Sequence, residues 1–294
     1  MSSATSATRS PASRLAAETL RLLPRKRISR AIGRIAAVPA AQRVLTQAID
    51  VYVRAYRVDM DEAEIPPGGF RTFDEFFTRR LKPGSRPIEG GAETLVSPAD
   101  GLLEDIGPIE HGSILRVKGQ EYEVGELLGD PADAGRFAGG QFAVIYLSPR
   151  DYHRVHPAVG GPVHSVRHIG GTLLPVNRFG VRSYPRLFAR NERVAVFQET
   201  EAHGEVATIL VGAIGVGRIS LAFDPTIMTN VGRGPTTQRY HTAHAPALAR
   251  GDELGTFHLG STVVLLTGPD RPLSMLVRAG DRVRVGQAMA VPSR

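Results

Sequence analysis

Apolar residues in the first quarter of the chain recur at helical spacing. Leu15, Leu20, Leu22 and Leu23 are followed by Ile28, Ile32, Ile35 and Val38, then by Val44, Leu45, Ala48, Ile49 and Tyr52, with arginines on the remaining faces. Pro24 and Pro39 divide this pattern into short helices. The stretch "FRTFDEFFTRRLKPGSRPI", residues 70–88, puts Phe70, Phe73, Phe76, Phe77 and Leu81 on one helical face and stops at Pro83-Gly84, as expected of a helix docked on a sheet. A core role is the first reading of these phenylalanines, and the lining of an acyl entrance is the alternative.

After residue 95 the period changes. "TLVSPADG", "SILRVKG", "FAVIYLSP", "RVAVFQET", "VATILVGAIGVGRISLAF", "STVVLLTG" and "SMLVRAGDRVRVGQAMAV" are strand-sized apolar runs broken by Gly and Pro. Such runs, without long helical patterns between them, predict an α+β fold. Its main part is an antiparallel β-sandwich or barrel-like domain, preceded by N-terminal amphipathic helices, and not a doubly wound sheet. Three regions follow: a disordered tail over 1–13, with almost nothing to bury, basic amphipathic helices over 14–65, and a catalytic domain over 66–294.

Charge sharpens the first region. Residues 1–49 carry nine basic side chains against the single acid Glu18, which leaves 27 basic and 28 acidic residues from totals of 36 and 29. Basic amphipathic helices of this kind lie in a membrane interface, where apolar burial adds to attraction by anionic headgroups. A nucleic-acid arm, a cleaved mitochondrial presequence and helices packed on their own domain compete with that reading. Nucleic acid is disfavoured because no aromatic residue interleaves the arginines before Tyr52. No window offers the roughly 20 uncharged apolar residues that span a bilayer. The chain contains no cysteine, which excludes disulfides, thiolate catalysis and cysteine-ligated metal.

Three places carry candidate chemistry. "SPADG" sets Asp100 in a turn after a strand, and "SPRDYHRVHPAVGG" sets His153 and His156 three apart at the end of a buried strand. Those histidines, with His164 and His168, leave zinc as a minority reading, but acid–base work fits imidazole better and no metal is expected. "HLGST" puts Ser261 behind Gly260 at the mouth of an apolar strand. Asp100, His156 and Ser261 supply the residue types of a Ser-His-Asp triad, yet no Gly-x-Ser-x-Gly elbow occurs. The hydroxyl therefore needs another target, and the carbonyl of Gly260 is always at hand. Glycine obstructs close approach least, so an N-to-O acyl shift is open there if a histidine takes the proton. β-Elimination of the ester leaves dehydroalanine at 261, which hydrolyses to a pyruvoyl group.

Taken jointly and in order, "FDEFFTRRLKPGSRPI", "SPADG", "DYHRVHPAVGG", "LFARNERVAVF", "VGAIGVGRI" and "GDELGTFHLGST" resemble the phosphatidylserine decarboxylase family, of the bacterial and mitochondrial type with an LGST cleavage site. The resemblance runs from about residue 70 to the end. It implies a carboxy-lyase that makes phosphatidylethanolamine, with Asp100, His156 and Ser261 as a self-cleavage triad and His153 serving decarboxylation. Scission between Gly260 and Ser261 would give a β chain, 1–260, and a 34-residue α chain. The pyruvoyl cofactor, derived from Ser261, would form a Schiff base with the substrate amine. The implied partners are phosphatidylserine in an anionic membrane and the two chains of one precursor, with a homodimer left open and nucleic acid not expected. The implied location is peripheral, on the cytoplasmic side of the cell membrane. An ester hydrolase that uses the same triad without self-cleavage, and a non-enzymatic basic β-domain, are the rival classes.

Overall fold

The structure, a computed structural model, describes residues 24–215, 218–231 and 234–293. The expected tail over 1–13 and the leucines at 15, 20, 22 and 23 lie outside the described residues. The molecule is organised around one nine-stranded sheet. Eight of its strands, in chain order, are β1 (Gly101–Pro108), β2 (Gln141–Leu147), β3 (Gly161–Ile169), β4 (Arg193–Thr200), β5 (Gly204–Val211), β6 (Thr236–Arg239), β7 (Ser261–Thr267) and β8 (Arg282–Val283). They lie side by side as β6-β3-β4-β5-β7-β2-β1-β8, and a short strand, Ala247–Leu248, also pairs with β3. Every pairing in the sheet is antiparallel.

The central strands are buried on both faces, which is why they read as continuous apolar runs. Along β7, Val263 and Leu265 enter one core while Val264 and Leu266 enter the other, as strand alternation requires. The first core is closed by Phe257, Ile219, Leu221, Leu95 and Met289 from two three-stranded sheets. The second is closed by Tyr122, Phe137, Tyr184 and Phe188 from a hairpin and short helical turns. The layers are sandwich-like. The barrel alternative is not realised, because β6 and β8 are free edges and do not pair with each other.

Among the described residues, two helices precede the sheet, α1 (Arg25–Ala36) and α2 (Gln42–Tyr56). A third, α3, is only Phe73–Phe77, started by Thr72, whose hydroxyl accepts the Glu75 amide at 3.0 Å. It is shorter than the phenylalanine spacing predicts. The Thr78 hydroxyl bonds back to the Asp74 carbonyl at 2.8 Å, a local bond that competes with continued helix. Leu81 instead forms an isolated bridge with Ala63. Phe70 and Phe76 pack with Leu45 and Ile49 of α2, the core role expected of them.

α1 docks through its polar side. The Ser29 hydroxyl accepts the Gly215 amide at 3.1 Å, Arg30 Nε donates to Asn230 Oδ1 at 3.1 Å, and Lys26 Nζ lies 3.6 Å from Glu192. Ile35 and Val38 are left 75% and 60% exposed. No helix among the described residues is long and apolar enough to cross a membrane.

Candidate active site

Ser261 opens β7 opposite Leu147, the last residue of β2. Its hydroxyl oxygen is fully buried without a hydrogen-bond partner among the described residues. An unpaired polar atom in such a place costs roughly 1–3 kcal/mol, so a hydroxyl with no task would be replaced at low cost by alanine. The backbone before it is strained as well. Leu259 has φ +92°, a region a bulky side chain enters at a cost of order 1–3 kcal/mol. At Gly260 nothing lies within 4 Å of where a Cβ would be. The strain therefore sits one residue ahead of the Gly260–Ser261 peptide, with open space beside that peptide.

His153 is completely buried and its ring stacks on Phe77, centroids 4.0 Å apart and planes 18° apart. Burial pushes the imidazole down to about 3, Arg79 acts in the same sense, and the nearby carbonyls of Ser148 and Pro149 offset part of this. The ring is therefore neutral at physiological pH, and neither nitrogen has a well-formed hydrogen bond. Ser148 and Pro149 directly follow Leu147, the rung partner of Ser261, so His153 and Ser261 share one end of the sheet. The His153 carbonyl also accepts the Phe257 amide at 3.0 Å, which ties the histidine to the segment leading into Ser261.

His156 and Asp100 occupy the same end but are not joined. His156 Nδ1 lies 3.1 Å from the Gly251 carbonyl and Nε2 lies 3.2 Å from the Tyr152 hydroxyl. The carbonyl can only accept, so Nδ1 carries the proton and Nε2 accepts from tyrosine. Burial lowers the His156 pKa, opposed by the Gly251 carbonyl and more weakly by the Asp100 charge. The Asp100 carboxylate is held by Arg86 Nε at 2.9 and 3.1 Å and by the Val285 amide at 2.8 Å. The two segments touch through the backbone, where the His156 amide donates to the Pro98 carbonyl at 2.8 Å. The residue types expected of a triad are thus gathered at one end of the sheet, while the hydrogen bonds of a triad are not made in this conformation.

Some features of this region escape sequence reasoning. Arg79 is buried with Nε unpartnered among the described residues. His258 Nδ1 sits 2.9 Å from both oxygens of Asp74 while its Nε2 is 3.1 Å from the Ser220 hydroxyl. Asp74 and His258 are 184 residues apart, so only the position of His258 inside "HLGST" marks it. His164 and His168 engage Glu205 and Glu192 instead. Among the described residues, no group of three or more His, Asp or Glu is placed to hold a metal ion.

A hydroxyl and an imidazole buried without partners at one strand end are candidates for chemistry. Comparison with known proteins narrows the class. The family model described as phosphatidylserine decarboxylase matches residues 73–291. A phosphatidylserine decarboxylase proenzyme of Brevibacillus brevis is 41% identical over 270 residues, covering 91% of this chain and 94% of that protein. One from an Anaeromyxobacter species is 42% identical over 279 residues, covering 94% and 98%. The chain belongs to the phosphatidylserine decarboxylase family.

Proposed function

We propose that this chain is a proenzyme that cuts itself between Gly260 and Ser261 and then converts phosphatidylserine to phosphatidylethanolamine. The observation that carries the reading is the buried, unpartnered Ser261 hydroxyl beside the strained Leu259. The hydroxyl attacks the Gly260 carbonyl, its proton passes by way of His156 to the departing Ser261 nitrogen, and the peptide C–N bond gives way to an ester. Loss of the Ser261 Cα proton then expels the Gly260 carboxylate, and hydrolysis of the dehydroalanine releases ammonia. His156 must exchange the Tyr152 hydroxyl for that of Ser261, and Asp100, held by Arg86 in this conformation, must replace the Gly251 carbonyl at Nδ1 to orient it. The keto carbonyl left at residue 261 supplies the electron sink that decarboxylation of an α-amino acid headgroup requires. His153, neutral and packed on Phe77, holds or returns the proton at the reacting carbon.

Cleavage need not dissociate the two chains. β7 pairs with β2 through Ser261–Thr267 and with β5 through Thr262–Thr267, so the 34-residue α chain stays in the middle of the sheet. α1 and α2 serve as a peripheral membrane anchor. Their outward Ile35, Val44 and Val51, with Val38 between the helices, enter the interface, and each nearby cation adds about 1 kcal/mol of attraction to an anionic surface. A two-tailed substrate resists leaving the bilayer by about 0.8 kcal/mol per exposed CH2, so the enzyme must come to the lipid.

Trapping tests the chemistry. Treatment with borohydride in the presence of phosphatidylserine is expected to abolish activity and attach the lipid amine to the amino terminus of the 34-residue chain. Retained activity with no adduct would refute a keto group there.

A further inference from the structure

Between α1 and the catalytic body lies a cavity of about 460 Å3. Arg30 and Arg34, one helical turn apart, face it from α1, and Arg218 faces it from the sheet side. One carboxylate, Asp74, shares the cavity, and it is already engaged by His258 at 2.9 Å and by Arg218 at 3.3 Å. Arg218 Nε is nevertheless buried with no hydrogen-bond partner among the described residues. Three guanidiniums against one shared carboxylate leave the cavity positive, and an unfilled guanidinium donor fits an oxyanion. The rim has the opposite character, since Val38 and Val231 line it and both are exposed. His258 forms part of the wall, three residues before Ser261.

A polar cationic floor, an apolar lip beside the outward face of α1 and a wall that includes His258, three residues before Ser261, suit one kind of molecule, an amphiphile with a single anionic group between its tails and its reacting end. We propose that this cavity seats the phosphodiester of the lipid substrate. Arg218 and Arg34 bond its non-bridging oxygens, and the acyl chains leave over Val38 and Ile35 toward the bilayer. The paired His258 and Asp74 fix the wall along which the headgroup reaches residue 261. This assignment rests on the function proposed above.

The test uses the cleaved enzyme and a short-chain phosphatidylserine, the dihexanoyl lipid, dissolved as monomers, so that membrane binding plays no part. Arg218→Gln and Arg34→Gln should each raise KM about ten-fold, the loss of one charge-assisted bond, with kcat within about two-fold and self-cleavage complete by mass. Arg34→Lys should recover most of the loss. Arg34 is exposed on α1, so its variants remain informative even if Arg218→Gln fails to fold. Unchanged KM in the variants overturns the proposal. So does a change confined to inhibition by inorganic phosphate, which would make the cavity a free-anion site. A wild-type chain that cleaves but does not decarboxylate the lipid overturns the functional reading itself, and this proposal with it.

Discussion

The N-terminal helices and the central sheet bury opposite things. In β7 every residue from Ser261 to Thr267 is buried, and apolar side chains fill the layers on both faces. In α1 the buried residues are Ser29 and Ala36, while Ile32 and Ile35 face outward. The sheet thus follows ordinary core logic, and the Ser261 hydroxyl at its end, like those of Thr262 and Thr208, departs from it by having no partner among the described residues. The helix departs from that logic at Ser29, Ile32 and Ile35. The proposed function uses both departures, the first as the nucleophile of self-cleavage and the second as a face for a membrane.

Breaking the sheet's departure at Ser261 should have the largest effect. Ser261→Ala is expected to stay uncleaved and inactive, read by denaturing electrophoresis and product assay. His156→Ala should also stay uncut, whereas His153→Ala should cleave but lose about 10^2- to 10^4-fold in turnover, the range of an acid–base contribution. A fully active His153→Ala enzyme would sink that division of labour. Next comes packing. Phe77→Ala removes the ring that stacks on His153 and should cost about 3–5 kcal/mol in urea unfolding.

The pH dependence sharpens the same contrast. His153 is lowered to about 3 by burial, so the unfolded chain takes up a proton near pH 6.5 while the folded chain does not. Its contribution to stability is intact above about pH 6.5 and falls progressively toward pH 3. His156 and His203 are lowered in the same sense. His153→Gln should flatten the dependence of the unfolding midpoint over that window. An unchanged slope would contradict the buried, neutral state. The smallest stability effect is expected on the helix. Ile35→Ser with Val38→Ser should shift unfolding by no more than about 0.5 kcal/mol per site, yet reduce sedimentation with phosphatidylserine vesicles. Undiminished vesicle binding would make the exposed face of α1 irrelevant to membranes.

The strands were legible wherever both faces are buried, because "FAVIYL" and "STVVLL" leave no polar period to confuse with a helix. β3, "GPVHSVRHI", where polar and half-buried residues interrupt the apolar ones, and the fully exposed edge strand β6, "TTQR", were not, since neither carries a continuous hydrophobic signal. Helical spacing located α1 and α2. It could not say that α1 turns its polar side inward, which depends on Gly215, Asn230 and Glu192 far along the chain. At the site, the residue types at 100, 153, 156 and 261 were readable, while their partners were not. Asp100 faces Arg86 and not His156, and His258 finds Asp74 across most of the sequence. Such pairings are set by the topology of the sheet and leave no local trace.

Mass spectrometry of the purified wild-type protein under denaturing conditions tests self-cleavage most directly. Two chains that part at the Gly260–Ser261 junction, the smaller with a blocked amino terminus, are expected. A single unbroken chain of 31.6 kDa with full decarboxylase activity would contradict it.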